Sequence, residues 1–265
     1  MALTPEELAD LDRRIDEALA SVGCESRQRC GVLGVAKPGS MTMPAGYIDE
    51  SGVLSCVHVT DDPSPVVEAL QTGQPLTDTY ERVVKGRMAE LGPGLYCSNA
   101  PELWMGRSRR KWEFLDRLTR EQRERIAQAV LNHPHMTWPD YLTPSEKEIA
   151  RRDLENFVET GHGGFLVGLA GQPYNIPVWK PEFLEPLGIK PGPQPQTVPV
   201  EADGPIARVQ APITREVAEA LQRAGFTGAC DPGSLMGGYP QCVIWHNKAV
   251  RRFGDYTRPG SENRA

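Results

Sequence analysis

Gly92-Pro93-Gly94-Leu95-Tyr96-Cys97-Ser98 is the second of three short segments that occur in a fixed order along the chain. The first segment is Cys-Val-His-Val-Thr at residues 56–60, and the third is Gln-Cys-Val-Ile-Trp at residues 241–245. Their apolar, β-branched and aromatic residues predict a β-strand or a strand end for each segment. Each segment also carries a polar or aromatic residue that an apolar strand does not need. These residues are His58, Tyr96 and Gln241.

The size and charge of the chain exclude few functions. Its 265 residues suit one domain with an insertion or two small domains, and they suffice to bury a core. The net charge of −6 gives no overall attraction to nucleic acid or to an anionic membrane. No run of about 18 apolar residues is present, and the N-terminus is acidic and amphipathic, so neither a membrane span nor a secretory signal is predicted. We therefore expect a cytoplasmic protein with no membrane partner.

The six cysteines predict reduced thiols rather than a disulfide framework. Cys56, Cys97 and Cys242 lie in apolar, strand-like runs, where a buried free thiol is the ordinary interpretation. Cys24 and Cys30 are spaced so that they could pair, but no metal-binding spacing is present.

The pattern of capping residues, glycines and prolines divides the chain into three parts. Thr4-Pro5-Glu6-Glu7 starts a helix that runs to about Val22, which gives an N-terminal helix at 1–23. A domain at 24–256 follows, and its Arg/Glu-rich segment at about 107–162 predicts a helical insertion. Residues 257–265 form a tail.

Strands and helices are predicted within the 24–256 domain from the period of its apolar residues. Helices are expected at 64–70, from about residue 99, and at 214–224. Residues 24–51 are expected to form strands and loops, and further strands are expected at 53–59, 94–97, 165–169, 176–179, 206–211 and 242–245. The proline-rich residues 190–195 predict an extended connector.

Taken in this order, the three segments resemble the ADP-ribosyltransferase superfamily. They are similar to its branch that includes diphtheria toxin and the poly(ADP-ribose) polymerases, whose signature is a histidine, a tyrosine and an acid. His58-Val59-Thr60 is similar to the His-Gly-Ser/Thr motif of that branch, and residues 92–98 resemble its Gly-x-Gly-Ile/Leu-Tyr motif. Gln241 stands where the acid begins a strand. The resemblance covers about 53–108 and 165–254.

The resemblance implies an α+β fold, a split β-sandwich of two small sheets surrounded by helices. It implies NAD as the substrate, no metal, and transfer of ADP-ribose to an acceptor with release of nicotinamide. Tyr96 would stack on nicotinamide, and His58 and Gln241 would contact the ribose. The backbone N–H and C=O of Val59 would hold the nicotinamide amide, and Thr60, Gly94 and Ser98 would complete the pocket.

Two departures from the family pattern leave alternatives open. Val59 replaces a glycine, which matters little if only its backbone is used. Gln241 replaces the acid and cannot offset positive charge, so Asp231, in an expected Asp-Pro-Gly turn, is a candidate to compensate.

Each site residue also has a structural interpretation. His58 and Tyr96 would then be strand or core residues, and Gln241 a polar residue at a strand edge. The alternative functions are a non-catalytic module that binds NAD or ADP-ribose, and an NAD glycohydrolase. The acceptor, whether protein or nucleic acid, and the oligomeric state cannot be deduced from the sequence.

Overall fold

The computed structural model describes residues 3–38, 45–73, 91–101, 109–132, 144–161, 180–233 and 240–257. The chain forms two compact units. One comprises Met1–Pro101 and Thr197–Ala265, and the other comprises Glu102–Gln196. All the candidate site residues belong to the first unit, which contains both β-sheets.

Seven α-helices lie in the described residues: α1 (Pro5–Ser21), α2 (Ser64–Thr72), α3 (Arg109–Asp116), α4 (Arg120–Leu131), α5 (Pro144–Thr160), α6 (Pro181–Leu184) and α7 (Arg215–Arg223). Several begin as the sequence predicts. Thr4 and Thr119 cap α1 and α4, and each forms a reciprocal capping box with the third helical residue. Thr214 caps α7 by accepting from the Val217 N–H.

Ten strands form two five-stranded sheets: β1 (Val32–Val35), β2 (Tyr47–Ile48), β3 (Leu54–Thr60), β4 (Leu95–Cys97), β5 (Gln196–Ala202), β6 (Ile206–Val209), β7 (Gly228–Asp231), β8 (Gln241–Ile244), β9 (Val250–Phe253) and β10 (Tyr256–Thr257). Sheet A has the order β1-β6-β7-β8-β4, and sheet B has the order β10-β9-β5-β3-β2. Within sheet A, β6 and β7 are parallel, and the other pairs are antiparallel. The predicted α+β class with two small sheets is confirmed.

One hydrophobic core lies between the two sheets. Leu54 and Cys56 of sheet B share it with Cys97, Cys242 and Ile244 of sheet A. Because side chains alternate along a strand, the residues between these point to the other face of sheet A. Each strand of sheet A therefore contributes alternate residues to the core between the sheets and to the outer face of sheet A.

The second core lies on the outer face of sheet A, under α1 and α7. Ile15 and Leu19 of α1 and Leu221 of α7 pack there on Val243 of β8. Full burial of each such side chain contributes about 2 kcal/mol to folding. This core holds the helices on sheet A and fixes the outer face of β4 and β8.

The helical unit has a core of its own. Leu115 of α3, Ile126 and Val130 of α4, and Phe157 of α5 are buried together. Helices α3, α4 and α5 lie between residues 107 and 162, where helices were expected. No described helix is long and apolar enough to cross a membrane.

The prediction of reduced thiols is wrong. The structure pairs Cys24 with Cys30, Cys56 with Cys97, and Cys230 with Cys242. Cys230 and Cys242 lie directly opposite each other on β7 and β8, and the Cys56 and Cys97 Cα atoms are 5.5 Å apart. Strand pairing brings each of these two pairs within disulfide distance, and the spacing of cysteines along the sequence does not reveal that pairing.

Other differences concern short strands. Strands β5, β7, β9 and β10 were not expected, and Cys230-Asp231 ends strand β7 instead of lying within a turn. The strand expected to begin at Gly94 starts at Leu95. The strands expected at 165–169 and 176–179, most of the helix expected from residue 99, and the tail beyond residue 257 lie outside the described residues.

Candidate active site

Strands β3 and β4, one from each sheet, meet at an isolated β-bridge in the described part of the chain. The Val57 N–H donates to the Ser98 carbonyl at 3.1 Å, and the Ser98 N–H donates to the Val57 carbonyl at 2.9 Å. This pair is an isolated bridge, and the Cys56–Cys97 disulfide crosses beside it. We call this junction the seam. Beyond this bridge, the described residues form no further β3–β4 pair.

His58 lies at the seam and contacts the main chain of Tyr96. Its Nδ1 is 2.7 Å from the Tyr96 carbonyl oxygen. A carbonyl can only accept, so Nδ1 carries the proton and Nε2 of the neutral ring is left as an acceptor. Burial lowers the pKa of His58, and the hydrogen bond to Tyr96 opposes that shift only in part. The side chain is thus a neutral imidazole with a fixed tautomer.

The backbone of Val59 faces the space where β3 and β4 diverge. Alternate residues of a strand direct their N–H and C=O groups to the same side. On this side of β3, the Val53 carbonyl accepts from Asp49 and Val57 bonds to Ser98, so Val59 is the next residue in the series. A continued ladder would place Val59 opposite Tyr96, but the Tyr96 carbonyl accepts from His58 instead. The N–H donor and the C=O acceptor of Val59 therefore both point into the gap beyond the bridge.

Tyr96 is held in place by its own turn. Its hydroxyl donates to the Gly92 carbonyl at 2.7 Å and accepts from the Leu91 N–H at 3.0 Å. The half-buried ring packs on the outer core of sheet A, whereas Leu95 and Cys97 face the inner core. His58 thus touches the main chain of Tyr96, and the ring lies on the other face of β4.

The glycines of the Gly-Pro-Gly turn are explained by geometry. Gly92 has a positive φ of 84°, and a Cβ there would approach the Ala218 Cβ to 2.9 Å. A Cβ on Gly94 would lie 2.5 Å from the Ile244 carbonyl oxygen. Gly94 therefore allows β4 to lie close against β8.

Gln241 belongs to a buried polar row on the outer face of sheet A. Tyr96 pairs with Val243 and Cys97 pairs with Cys242, so the same register places Ser98 opposite Gln241. On the other side, Gln241 pairs with Asp231. Ser98, Gln241 and Asp231 are only 0%, 2% and 3% exposed. The structure brings Gln241 beside Ser98 and Asp231, on the face opposite to that of Leu54 and Cys56.

Asp231 is already bonded to the backbone. Its Oδ1 accepts from the Gly233 N–H at 3.0 Å, and its Oδ2 accepts from the Ala211 N–H at 3.1 Å. Asp231 therefore anchors two loops through its carboxyl group, one strand away from Gln241.

Thr60 and Ser98 have local roles. The Thr60 hydroxyl donates to the Asp62 carbonyl and accepts from the Asp62 N–H, so it shapes the turn into α2. The Ser98 hydroxyl accepts from the Ala100 N–H at 3.1 Å. Within the described part of the chain, no group of three or more histidine, cysteine or acidic residues is arranged to hold a metal ion.

Comparisons with protein-family models, with curated proteins and with solved structures found no match.

Proposed function

We propose that the chain binds NAD⁺ at the seam and transfers its ADP-ribose to an acceptor, as an ADP-ribosyltransferase with a split β-sandwich. The observation that carries the proposal is the hydrogen bond from His58 Nδ1 to the Tyr96 carbonyl beside the isolated Val57–Ser98 bridge. This bond replaces the next step of the β3–β4 ladder. It leaves the backbone N–H and C=O of Val59 facing the gap, and it leaves Nε2 of the adjacent His58 ring as an acceptor.

The groups in the gap complement nicotinamide riboside. A carboxamide presents one acceptor and two donors, and the N–H and C=O of Val59 can satisfy one of each. Nε2 of the neutral His58 ring can accept from a ribose hydroxyl. β4 is the edge strand of sheet A, so a ligand in the gap also borders the outer face on which the Tyr96 ring lies.

The reaction breaks the bond between ribose C1′ and the pyridinium nitrogen. The bonding electrons pass to nicotinamide, which leaves as a neutral molecule, and C1′ gains positive charge in the transition state. A nucleophile of the acceptor then bonds to C1′ and loses its proton. The site contributes by fixing the amide and ribose, and by placing polar groups where charge develops.

Gln241 and Asp231 give the second candidate function its support. Gln241 can hydrogen-bond to the ribose or to the acceptor but carries no charge, and the Asp231 carboxylate is engaged with two backbone N–H groups. Such a site can bind the dinucleotide, but it stabilises the positive charge on C1′ less than a site with a free carboxylate at position 241 would. We therefore keep a non-catalytic NAD or ADP-ribose binding module as the alternative, and NAD⁺ hydrolysis as the case in which water is the acceptor. A protein or a nucleic acid is the proposed acceptor class.

Thermal unfolding in the presence of NAD⁺ tests the binding site. A ligand at a hundred times its Kd stabilises the folded state by about 2.7 kcal/mol, so the midpoint should rise with NAD⁺ concentration. His58→Ala should abolish the shift, whereas His246→Ala, at an exposed histidine of the same unit, should retain it. Absence of a shift in the wild type at millimolar NAD⁺ would contradict the proposal.

A further inference from the structure

Four of the six cysteines lie together in the core between the two sheets. They are Cys56, Cys97, Cys230 and Cys242, and each is buried. The structure pairs Cys56 with Cys97 across the seam, and it pairs Cys230 with Cys242 across β7 and β8. The third disulfide, Cys24–Cys30, lies elsewhere, in the loop between α1 and β1. Two disulfides therefore share one region of the inner core.

The strand register places Cys97 directly opposite Cys242. They are partners in the antiparallel β4–β8 pair, and Cys242 is also the partner of Cys230 on its other side. The Cα atoms of directly opposed antiparallel residues are about 4.5 or 5.5 Å apart, and disulfides span about 4.4–6.8 Å. Opposed residues also project to the same face of a sheet. Cys242 is therefore within bonding distance of two cysteines, and its disulfide uses one of them.

The order of the strands gives three cysteines the geometry of thiol–disulfide exchange. Strand β8 lies between β7 and β4, so Cys97 faces Cys242 from the side opposite to Cys230. A thiolate attacks a disulfide sulfur along the line of the bond that breaks. Cys97 cannot make this attack while it is bonded to Cys56, and a reduced Cys97 can.

Of these two disulfides, Cys56–Cys97 is the one that a reductant reaches first. A buried disulfide is reduced when the surrounding structure opens locally. Cys230–Cys242 lies within four consecutive pairs of β7 with β8, and both residues are 0% exposed. Cys56–Cys97 lies beside an isolated bridge, and its residues keep 3% and 4% exposure. Local opening therefore favours reduction at the seam.

We propose that these four cysteines form a redox switch that moves a crosslink out of the seam. A dithiol reductant attacks the Cys56 sulfur, and Cys97 leaves as a thiolate. The Cys97 thiolate attacks the Cys242 sulfur, the bond between these two forms, and Cys230 leaves and takes up a proton. The second thiol of the reductant then releases Cys56 as a thiol, and the reductant leaves as a cyclic disulfide. Two electrons and two protons pass to the protein, and one of the two disulfides remains.

The exchange changes what holds β3 against β4. In the oxidised chain, the Cys56–Cys97 bond and the Val57–Ser98 bridge both join these strands, and after the exchange the bridge is left of these two links. The new bond lies within sheet A, where it joins β4 to β8. His58 follows Val57 directly, so the switch acts on the part of β3 that carries His58. The inference goes beyond the proposed function and does not depend on NAD⁺ binding.

Two double variants test the geometry. Cys56→Ala/Cys230→Ala retains Cys97 and Cys242, which should form a disulfide when the protein is oxidised. The matched control is Cys56→Ala/Cys242→Ala. It retains Cys97 and Cys230, which are two strand spacings or about 9.6 Å apart, whereas a disulfide needs Cα atoms within about 7 Å.

Thiol titration after denaturation measures the result. The control should keep both of its inner-core thiols, and Cys56→Ala/Cys230→Ala should lose both. Peptide mapping by mass spectrometry should then find Cys97 crosslinked to Cys242. Free thiols at both positions in a Cys56→Ala/Cys230→Ala protein that circular dichroism shows to be folded would overturn the proposal.

Partial reduction of the wild-type protein tests the exchange itself, and it does not require any variant to fold. The protein is treated with limiting dithiothreitol at about pH 8.5, where thiolates form, and it is then quenched with acid. Free thiols are blocked with N-ethylmaleimide and located by peptide mapping. Blocked thiols at Cys56 and Cys230, with Cys97 crosslinked to Cys242, are the expected product. Blocked thiols at Cys56 and Cys97 with the other bond intact, or loss of both bonds together, would overturn the exchange.

Hydrogen exchange measures the effect on the seam. The Val57 and Ser98 N–H groups donate across the bridge, so their protection reports whether it stays closed. In Cys56→Ala/Cys230→Ala, protection of these two amides should fall about tenfold or more relative to wild type, and by more than that of the β8 amides. Unchanged protection at the seam would overturn the switch.

Discussion

Removing the Cys56–Cys97 disulfide should cost more stability than removing any other disulfide of the chain. These cysteines are 41 residues apart, and the chain-entropy relation for such a loop gives about 4 kcal/mol of unfolding free energy at 25 °C. The same relation gives about 3 kcal/mol for Cys230–Cys242, which are 12 residues apart. It gives about 2 kcal/mol for Cys24–Cys30, which are six residues apart.

The double variant Cys56→Ala/Cys97→Ala measures this effect. Alanine is preferred to serine because both positions are buried in the inner core, where a hydroxyl would need a partner. The assay is urea unfolding without reductant, and Cys24→Ala/Cys30→Ala is the matched control. The difference between the two double variants should be about 1.5–2 kcal/mol. Equal losses, or six free thiols in the folded wild type, would refute the reasoning.

The same disulfide links stability to the site. It joins β3 to β4 beside the bridge that positions His58 and Val59.

Three further predictions concern the seam and its support. Gly94→Ala should lower the unfolding free energy by about 1–3 kcal/mol, because its Cβ would lie 2.5 Å from the Ile244 carbonyl oxygen. Urea unfolding measures this loss. An unchanged unfolding midpoint would show that β4 can move away from β8. Stability should fall as the pH decreases below about 6.5, by at most about 1.4 kcal/mol per pH unit, because His58 is neutral when folded and its lowered pKa makes protonation favour unfolding. His58→Gln should reduce this slope, and a slope identical to that of wild type would contradict the assigned burial. If Gln241 faces the ribose, Gln241→Glu should increase nicotinamide release, because a charge-assisted hydrogen bond is about twice as strong as a neutral one. Gln241→Ala should decrease the release. No change in either variant would place Gln241 outside the site.

The sequence predicted those parts of the fold that local chemistry determines. Thr4 and Thr119 carry capping boxes, and the helices begin where these residues indicate. The strand expected at 53–59 forms β3, at Leu54–Thr60. Strand β5 was missed because polar residues and a proline interrupt its apolar pattern, and β7 was missed because Asp-Pro-Gly follows it directly.

Features of the site that depend on long-range pairing could not be predicted. The proximity of His58 to the Tyr96 carbonyl requires β3 and β4 to meet at the bridge, which nothing in the linear spacing reveals. The pairing of the cysteines also depends on which strands lie side by side.

Release of free nicotinamide from NAD⁺ tests the central claim most directly. Wild-type protein, His58→Ala and the control His246→Ala are incubated with NAD⁺, with and without protein and nucleic-acid acceptors, and nicotinamide is quantified by chromatography. We expect release by the wild type and by the control, and a rate about tenfold to a thousandfold lower for His58→Ala, because a contact made in the transition state is lost. Circular dichroism should show that all three proteins are folded. Equal release by the wild type and a folded His58→Ala variant, or no release by any of the three, would contradict ADP-ribosyl transfer at the seam.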